Sequence, residues 1–289
     1  MNKIRHYLTM ALLMAVTFSL LFYPEQTEES FTYFPPDPEA SFQSADTSLT
    51  LLSKNNGYYK LNWKTSSTLD RKAYLRQDIS LLYANGLLVG KMGKGWKQNT
   101  DTINLQENIQ YQESANFKSI SYHHAELHEN GHITSVQSIT NDELYVVDSN
   151  FSPLKSFRVP KSTDEKEWRD VLDKLTEERI KHSYDKAVET YAIMENHYSV
   201  YLLTQFYQFT DAALPGFSIE DSRKIIGRLW EGIYKNYFLG VRMKDGTYAD
   251  PANSTIPVIL LAKDKSHLIV ISELSNGEMM FLRQTIQYQ

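Results

Sequence analysis

Four of the eight histidines fall within ten positions, in the segment SYHHAELHENGH. On a β-strand, side chains alternate between two faces, so His124, Glu126 and His128 would project from the same face. Two imidazoles and a carboxylate are ligands that Zn²⁺ accepts, and the segment is therefore a candidate metal site. An ordinary polar strand face gives the same spacing, and a pH-responsive surface is a third interpretation, because histidine titrates near neutral pH.

The geometry of a single strand limits this candidate site. A structural zinc site is usually closed by four ligands. The Asn130-Gly131 pair predicts a two-residue turn that places His132 opposite Glu129, so a fourth ligand would have to come from elsewhere. We therefore expect the histidine cluster to bind zinc weakly, and we expect no other cofactor.

Local signatures of catalysis in the sequence lack the context that they need. There is no G-x-S-x-G motif, and there is no cysteine to act as a nucleophile or thiolate ligand. Residues 128–132 spell H-E-x-x-H, but the predicted Asn130-Gly131 turn falls where that motif needs a helix. Residues 152–155 and 183–186 spell S-x-x-K, without the S-D-N and K-T-G motifs that accompany it in enzymes. The GKMGKGW segment at 90–96 is no P-loop, because its Lys91 is followed by methionine rather than serine or threonine. A non-enzymatic protein is favoured, and the alternative is a hydrolase whose catalytic residues come from distant parts of the chain.

Composition sets broad limits on the class of protein. The chain has 289 residues, of which 42% are hydrophobic and 22% are charged, as is typical of globular domains. The formal net charge of -5 disfavours a general nucleic-acid binder, which needs a basic face.

The N-terminal residues 1–23 predict an uncleaved signal anchor, which would be a single transmembrane helix. A basic start precedes sixteen uncharged residues (8–23), and no small-residue cleavage site follows them. All nearby Lys and Arg residues precede this run, so the positive-inside rule places the N-terminus in the cytoplasm and the remainder outside. The alternative is secretion after cleavage.

Three further regions follow the predicted anchor. Residues 24–48 are acidic and rich in proline, which predicts an extended tether. Residues 49–160 read as antiparallel β-structure, with hairpins at Asn85-Gly86 and Asn130-Gly131. Residues 161–289 read as an α+β region that could form one domain with residues 49–160.

Two helices and a C-terminal meander are expected in residues 161–289. Ser162 predicts the start of a helical segment over 163–195, either one helix with a defect or two helices that meet near Ser183. We expect a strand over 200–209, and then a helix capped by Ser218. Its apolar face is formed by Ile219, Ile226, Leu229, Trp230, Ile233 and Tyr237. The remaining strands predict a β meander, so the fold class is α+β.

These observations favour a membrane-anchored, extracytoplasmic binding or regulatory protein of the cell envelope. Its expected partners are the lipid bilayer, through the N-terminal helix, and an envelope or membrane protein, with no nucleic acid. The layout is similar to that of short, single-pass extracytoplasmic accessory proteins of Gram-positive bacteria, and no site residue is carried over from that likeness. An envelope hydrolase and a metal-binding or metal-sensing module remain the alternatives.

Overall fold

The computed structural model describes residues 32–150, 152–243 and 246–287, which form two large antiparallel sheets, one small two-stranded sheet and two long helices. The predicted signal anchor at 1–23 lies outside the described residues. Among the residues that are described, no helix is both long and apolar enough to cross a membrane. The α+β prediction is confirmed at this level, with antiparallel strands, then helices, then C-terminal strands.

The first sheet contains seven strands and takes up the N-terminal half of the described chain. These strands are β1 (Phe42–Asn55), β2 (Tyr58–Ala84), β3 (Leu87–Met92), β4 (Lys97–Tyr111), β5 (Ala115–Glu129), β6 (His132–Ser149) and β7 (Ser152–Phe157). β2 is 27 residues long and pairs with β1 and then β5 along one edge, and with β4 and then β3 along the other. Its register shifts between Thr68 and Ala73, where the sheet curls over itself.

Alternating side chains explain why the curl is stable. In the first half of β2, Tyr59, Leu61 and Trp63 are fully buried, whereas the residues between them are exposed or half-buried. This period of two gives β2 one apolar face. That face packs inside the curl against Phe117 of β5 and Leu144 of β6.

Two predicted hairpin turns are confirmed. β2 and β3 are joined at Asn85-Gly86, and β5 and β6 at Asn130-Gly131. Both asparagines have positive φ, 48° and 52°, and both glycines do as well. A two-residue turn of this type requires that backbone conformation, which asparagine and glycine tolerate best.

The second sheet contains four strands in the order β13-β12-β11-β8. These are β8 (Tyr198–Leu202), β11 (Val258–Ala262), β12 (His267–Glu273) and β13 (Met279–Thr285). Between β8 and β11 in the chain, two strands of two residues each, β9 (Val241–Arg242) and β10 (Tyr248–Ala249), pair as a small hairpin. Helix α1 (Thr163–Tyr191) covers one face of this sheet, and helix α2 (Ile219–Phe238) packs between its other face and the first sheet.

The helical region differs from the expectation in two places. α1 is one continuous helix from Thr163 to Tyr191, capped by the Ser162 hydroxyl, which accepts the Glu165 N–H. The strand expected over 200–209 ends at Leu202, and a 3₁₀ helix over Leu203–Phe209 follows it. Leu203 and Phe206 are buried on this helix, so burial against the core rather than strand pairing explains the apolar residues.

The described part of the predicted tether is attached to the domain, and residues 42–48 lie in β1. We call residues 33–41 the N-terminal strap. Pro36 bridges to Ser135 of β6, and the Ser135 hydroxyl accepts the Phe34 N–H at 2.9 Å. The ring of Tyr33 lies on Gly227 of α2, where an added Cβ would come within 2.2 Å of it. The strap therefore joins the folded unit before β1 begins.

The close approach of Tyr33 and Gly227 predicts that Gly227→Ala destabilises the wild-type protein but stabilises a variant that lacks the Tyr33 ring. Gly227→Ala should lower the free energy of unfolding by about 1–3 kcal/mol, because the methyl group forces the Tyr33 ring away. In a Tyr33→Ala background the same substitution should raise it by about 1 kcal/mol, because alanine favours helix more than glycine does. Urea titration of the four proteins measures both values, and equal effects in the two backgrounds would contradict the contact.

Candidate functional site

The structure places the three predicted metal ligands on β5 but gives them different surroundings. His124 is buried, and its Nε2 lies 3.3 Å from the Ser135 hydroxyl. Glu126 contacts the His128 imidazole, which stacks on Tyr74 with ring centroids 3.9 Å apart. Within the described part of the chain, no group of three or more His, Cys, Asp or Glu side chains is arranged to hold a metal ion. The zinc site stays a prediction for direct metal analysis.

The metal hypothesis has a simple measurement. We expect purified protein to contain less than stoichiometric zinc, because one strand supplies at most three ligands and no orienting partners are apparent in the sequence. A chelator should leave the melting temperature unchanged. Stoichiometric zinc that is lost in a His124→Ala, His128→Ala double variant, together with several degrees of melting temperature, would establish the metal site instead.

His124 also gives the metal-free protein an acid-sensitive stability. The pKa of His124 is lowered from 6.5 to about 3, mainly by burial and also by the charge of Arg76, while the charge of Asp78 acts in the opposite direction. Between these two values the unfolded chain binds a proton that the folded chain does not, so stability falls as pH falls.

A matched pair of variants tests this dependence. Relative to wild type, His124→Gln should flatten the loss of unfolding free energy between about pH 6 and pH 4 by up to about 1.4 kcal/mol per pH unit. His132→Gln changes an exposed histidine at the start of β6 and controls for the loss of a histidine as such. Urea titrations across this pH range measure how the free energy of unfolding depends on pH. The same dependence in wild type and His124→Gln would contradict the buried neutral imidazole.

The densest polar chemistry lies one residue away, inside the curled sheet. His123 Nδ1 lies 2.7 Å from Asp78 Oδ2, and its Nε2 lies 2.8 Å from the Thr140 hydroxyl. The Ser67 hydroxyl also donates to Asp78 Oδ2 at 2.6 Å. A hydroxyl, an imidazole and a carboxylate in this order resemble the acid–base relay of hydrolases.

Arg76 completes this cluster and balances the negative charge of Asp78. Its guanidinium lies 3.5 Å from the Asp78 carboxylate, donates to the Ser67 hydroxyl and is covered by the ring of Phe42, with 5.0 Å to the centroid. The guanidinium also donates to the backbone oxygens of Asp101 and His124. Burial lowers the pKa of Arg76, and the charge of Asp78 opposes that shift.

The guanidinium, carboxylate and imidazole of the cluster are sealed from solvent. The side chains of Arg76, Asp78 and His123 are 0% exposed. The apolar group around Trp63 packs on one side of the curl, and a second group, with Phe42 packed against it, lies near the strap. A relay with no opening for a substrate can tie strands together, and this arrangement supports a structural role.

Sequence reasoning missed this cluster for a physical reason. Asp78 and His123 lie on different strands, 45 residues apart, and only the pairing of β2 with β5 brings them opposite one another. The one local signal was the pair of adjacent histidines, because alternation sends His123 to the inside of the curl when His124 faces α2.

A groove lies along the outer edge of β13. It holds a cavity of about 590 Å³. Its walls come from the C-terminal ends of the two helices, at Tyr191 and Asn236, and from Val241–Met243, while Met279–Leu282 of β13 form its edge. We call it the β13 groove. Most of its lining side chains are apolar, and Arg242 is its exposed cation.

The basic loop at 90–96 is part of the fold. Lys91 Nζ donates to the Tyr237 carbonyl oxygen at 2.8 Å and lies 3.4 Å from the Asp250 carboxylate. Trp96 packs against the apolar core that α2 forms with the two large sheets, which we call the main core. These contacts give Lys91 and Trp96 structural roles at the end of α2.

Comparisons with protein-family models, with curated proteins and with solved structures find no match for this chain.

Proposed function

We propose that this chain is a non-enzymatic binding or regulatory protein of the cell envelope. In this proposal, residues 1–23 anchor it in the membrane, and the folded domain engages a partner protein outside the cytoplasm. The observation that supports binding is the β13 groove, a largely apolar cavity of about 590 Å³ beside an exposed strand edge. Concave, mostly apolar surfaces with a few polar groups are typical binding sites.

Capture of the partner tests the binding function. A photoreactive residue at Arg242, which lines the groove and is exposed, should form adducts with a membrane or envelope protein in native membranes. Failure to form adducts at that position would count against the groove as the binding site.

The proposed location has an independent test. If residues 1–23 anchor the chain with its N-terminus inside, protease added to intact, wall-stripped cells should digest the domain. A protected domain would reverse the proposed orientation, and a soluble released form that begins near residue 20 would show cleavage.

A hydrolase is the second candidate, and the relay of Asp78, His123 and Thr140 is the observation that favours it. Thr140 is half-buried, so its hydroxyl is the one catalytic group that a small reagent could approach. A fluorophosphonate probe reacts with activated hydroxyl nucleophiles. We expect no labelling, because the imidazole and carboxylate are sealed, and labelling that is lost in Thr140→Val would favour the hydrolase.

A further inference from the structure

Among the described residues, no strand pairs with the outer edge of β13, and its sequence lacks the protection that natural sheet edges usually carry. Edge strands are commonly short, charged, interrupted by proline or covered by another element, because their unpaired backbone groups invite pairing. β13 is seven residues long and reads MMFLRQT, with four apolar residues and a single charge at Arg283. By contrast, the 15-residue edge strand β4 is polar along most of its length.

The register of β13 shows which backbone groups face outward. Leu274 N–H donates to Glu278 O, and Ile286 N–H donates to Ser266 O, so even-numbered residues of β13 bond to β12. The N–H and C=O groups of Phe281, Arg283 and their odd-numbered neighbours therefore point away from the sheet. The Tyr191 hydroxyl lies 3.4 Å from Met279 O, as this phase requires.

The side chains of β13 are already packed, so the backbone edge is what the groove offers. Phe281 lies against Tyr191 of α1, with ring centroids 4.3 Å apart, and Met280 is buried in the core beside α2. An added strand would lie about 4.8 Å from β13, within the cavity and between the ends of the two helices. Main-chain hydrogen bonds would then supply affinity, and the apolar walls would select side chains.

The charges around the groove indicate the kind of strand that fits. Lys186 is neutralised by Glu273 at 2.5 Å. Arg242 lines the groove, and Arg283 follows the lining residues on β13. In the part of the chain that the structure describes, neither arginine forms an ion pair, and Glu278 is the one acidic residue that lines the groove. The two arginines outnumber that carboxylate, so an acidic segment is electrostatically favoured.

We propose that an extended, acidic segment of a partner protein, apolar at alternate positions, adds to β13 as a fifth strand of the second sheet. This inference rests on the proposed binding function and adds the mode of binding and the chemistry of the ligand.

Selection from a displayed library of random ten-residue peptides tests the proposal on the full chain, purified in detergent. Enriched peptides should alternate apolar residues with other residues and should include aspartate or glutamate. Arg283→Pro removes one outward N–H and should weaken these peptides about tenfold or more, because proline also obstructs the incoming strand. Arg242→Glu should weaken them as well, without touching the sheet.

Val200→Pro is the matched control. Leu203 N–H donates to Pro257 O, so the odd-numbered residues next to β8 and within it bond to β11. The backbone N–H and C=O groups of the even-numbered residues therefore point outward, at the opposite edge of the same sheet. This variant should bind the selected peptides as wild type does. Circular dichroism and melting curves of both proline variants check that they fold.

Three results would overturn strand addition. They are no enriched peptide, peptides that bind Arg283→Pro as tightly as wild type, and enriched peptides that are basic. Self-association of the chain that Arg283→Pro abolishes would instead assign the edge to a second copy. A photoreactive residue at position 242 could still capture a partner after Arg283→Pro is introduced. That result would contradict strand addition but would leave the proposed binding function standing.

Discussion

Asp78→Ala is expected to lower the free energy of unfolding by about 3–5 kcal/mol, because it leaves a buried guanidinium without its counter-charge. Asp78 is within ion-pair distance of Arg76 and accepts hydrogen bonds from Ser67 and His123, and all of these charged and aromatic side chains are buried inside the curl. Urea titration followed by tryptophan fluorescence measures the loss.

Asp170→Ala provides a control for the ion pair itself. Asp170 pairs with Arg169 at 2.8 Å on the exposed surface of α1. A surface pair contributes about 0–1 kcal/mol, so this variant should be close to wild type. If the two variants lost similar small amounts, the cluster inside the curl would be neither dry nor tightly coupled.

Trp230→Ala is expected to cost about 3–5 kcal/mol, because it opens a large cavity at the centre of the main core. Trp230 is 0% exposed and stacks on Tyr122 with centroids 5.1 Å apart, where α2 packs on the first sheet. The same unfolding titration measures it.

Ile219→Ala is the matched control on the same helix. Ile219 begins α2 and is 40% exposed, although the helical period predicts it on the apolar face. Its replacement should cost less than about 1 kcal/mol. A loss of a few tenths for Trp230→Ala would place that face of α2 outside the core.

Local features of the fold were readable from the sequence. The period of α2 placed Trp230, Ile233 and Tyr237 on one face, and the structure buries all three. The asparagine–glycine turns were equally clear, because few other residue pairs adopt positive φ at both positions. These signals depend on neighbours within about one or two helical or hairpin turns.

Long-range features were not readable in the same way. The 27-residue β2 and the strap acquire their structure from pairings with partners far along the chain, such as Ser135 for residue 36. The same holds for the candidate site. Alternation placed His124, Glu126 and His128 correctly on one strand, but only tertiary packing sets His124 beside Ser135 and leaves His128 against Tyr74.

Photo-cross-linking in native membranes tests the central claim most directly. A photoreactive residue at Arg242 reports on the β13 groove, and one at Leu52, which is 51% exposed on β1, reports on an unrelated surface. We predict a discrete protein adduct from position 242, none from position 52, and loss of the adduct in Arg283→Pro. No adduct from position 242, or the same adducts from both positions, would contradict the groove as the site where this protein binds its partner.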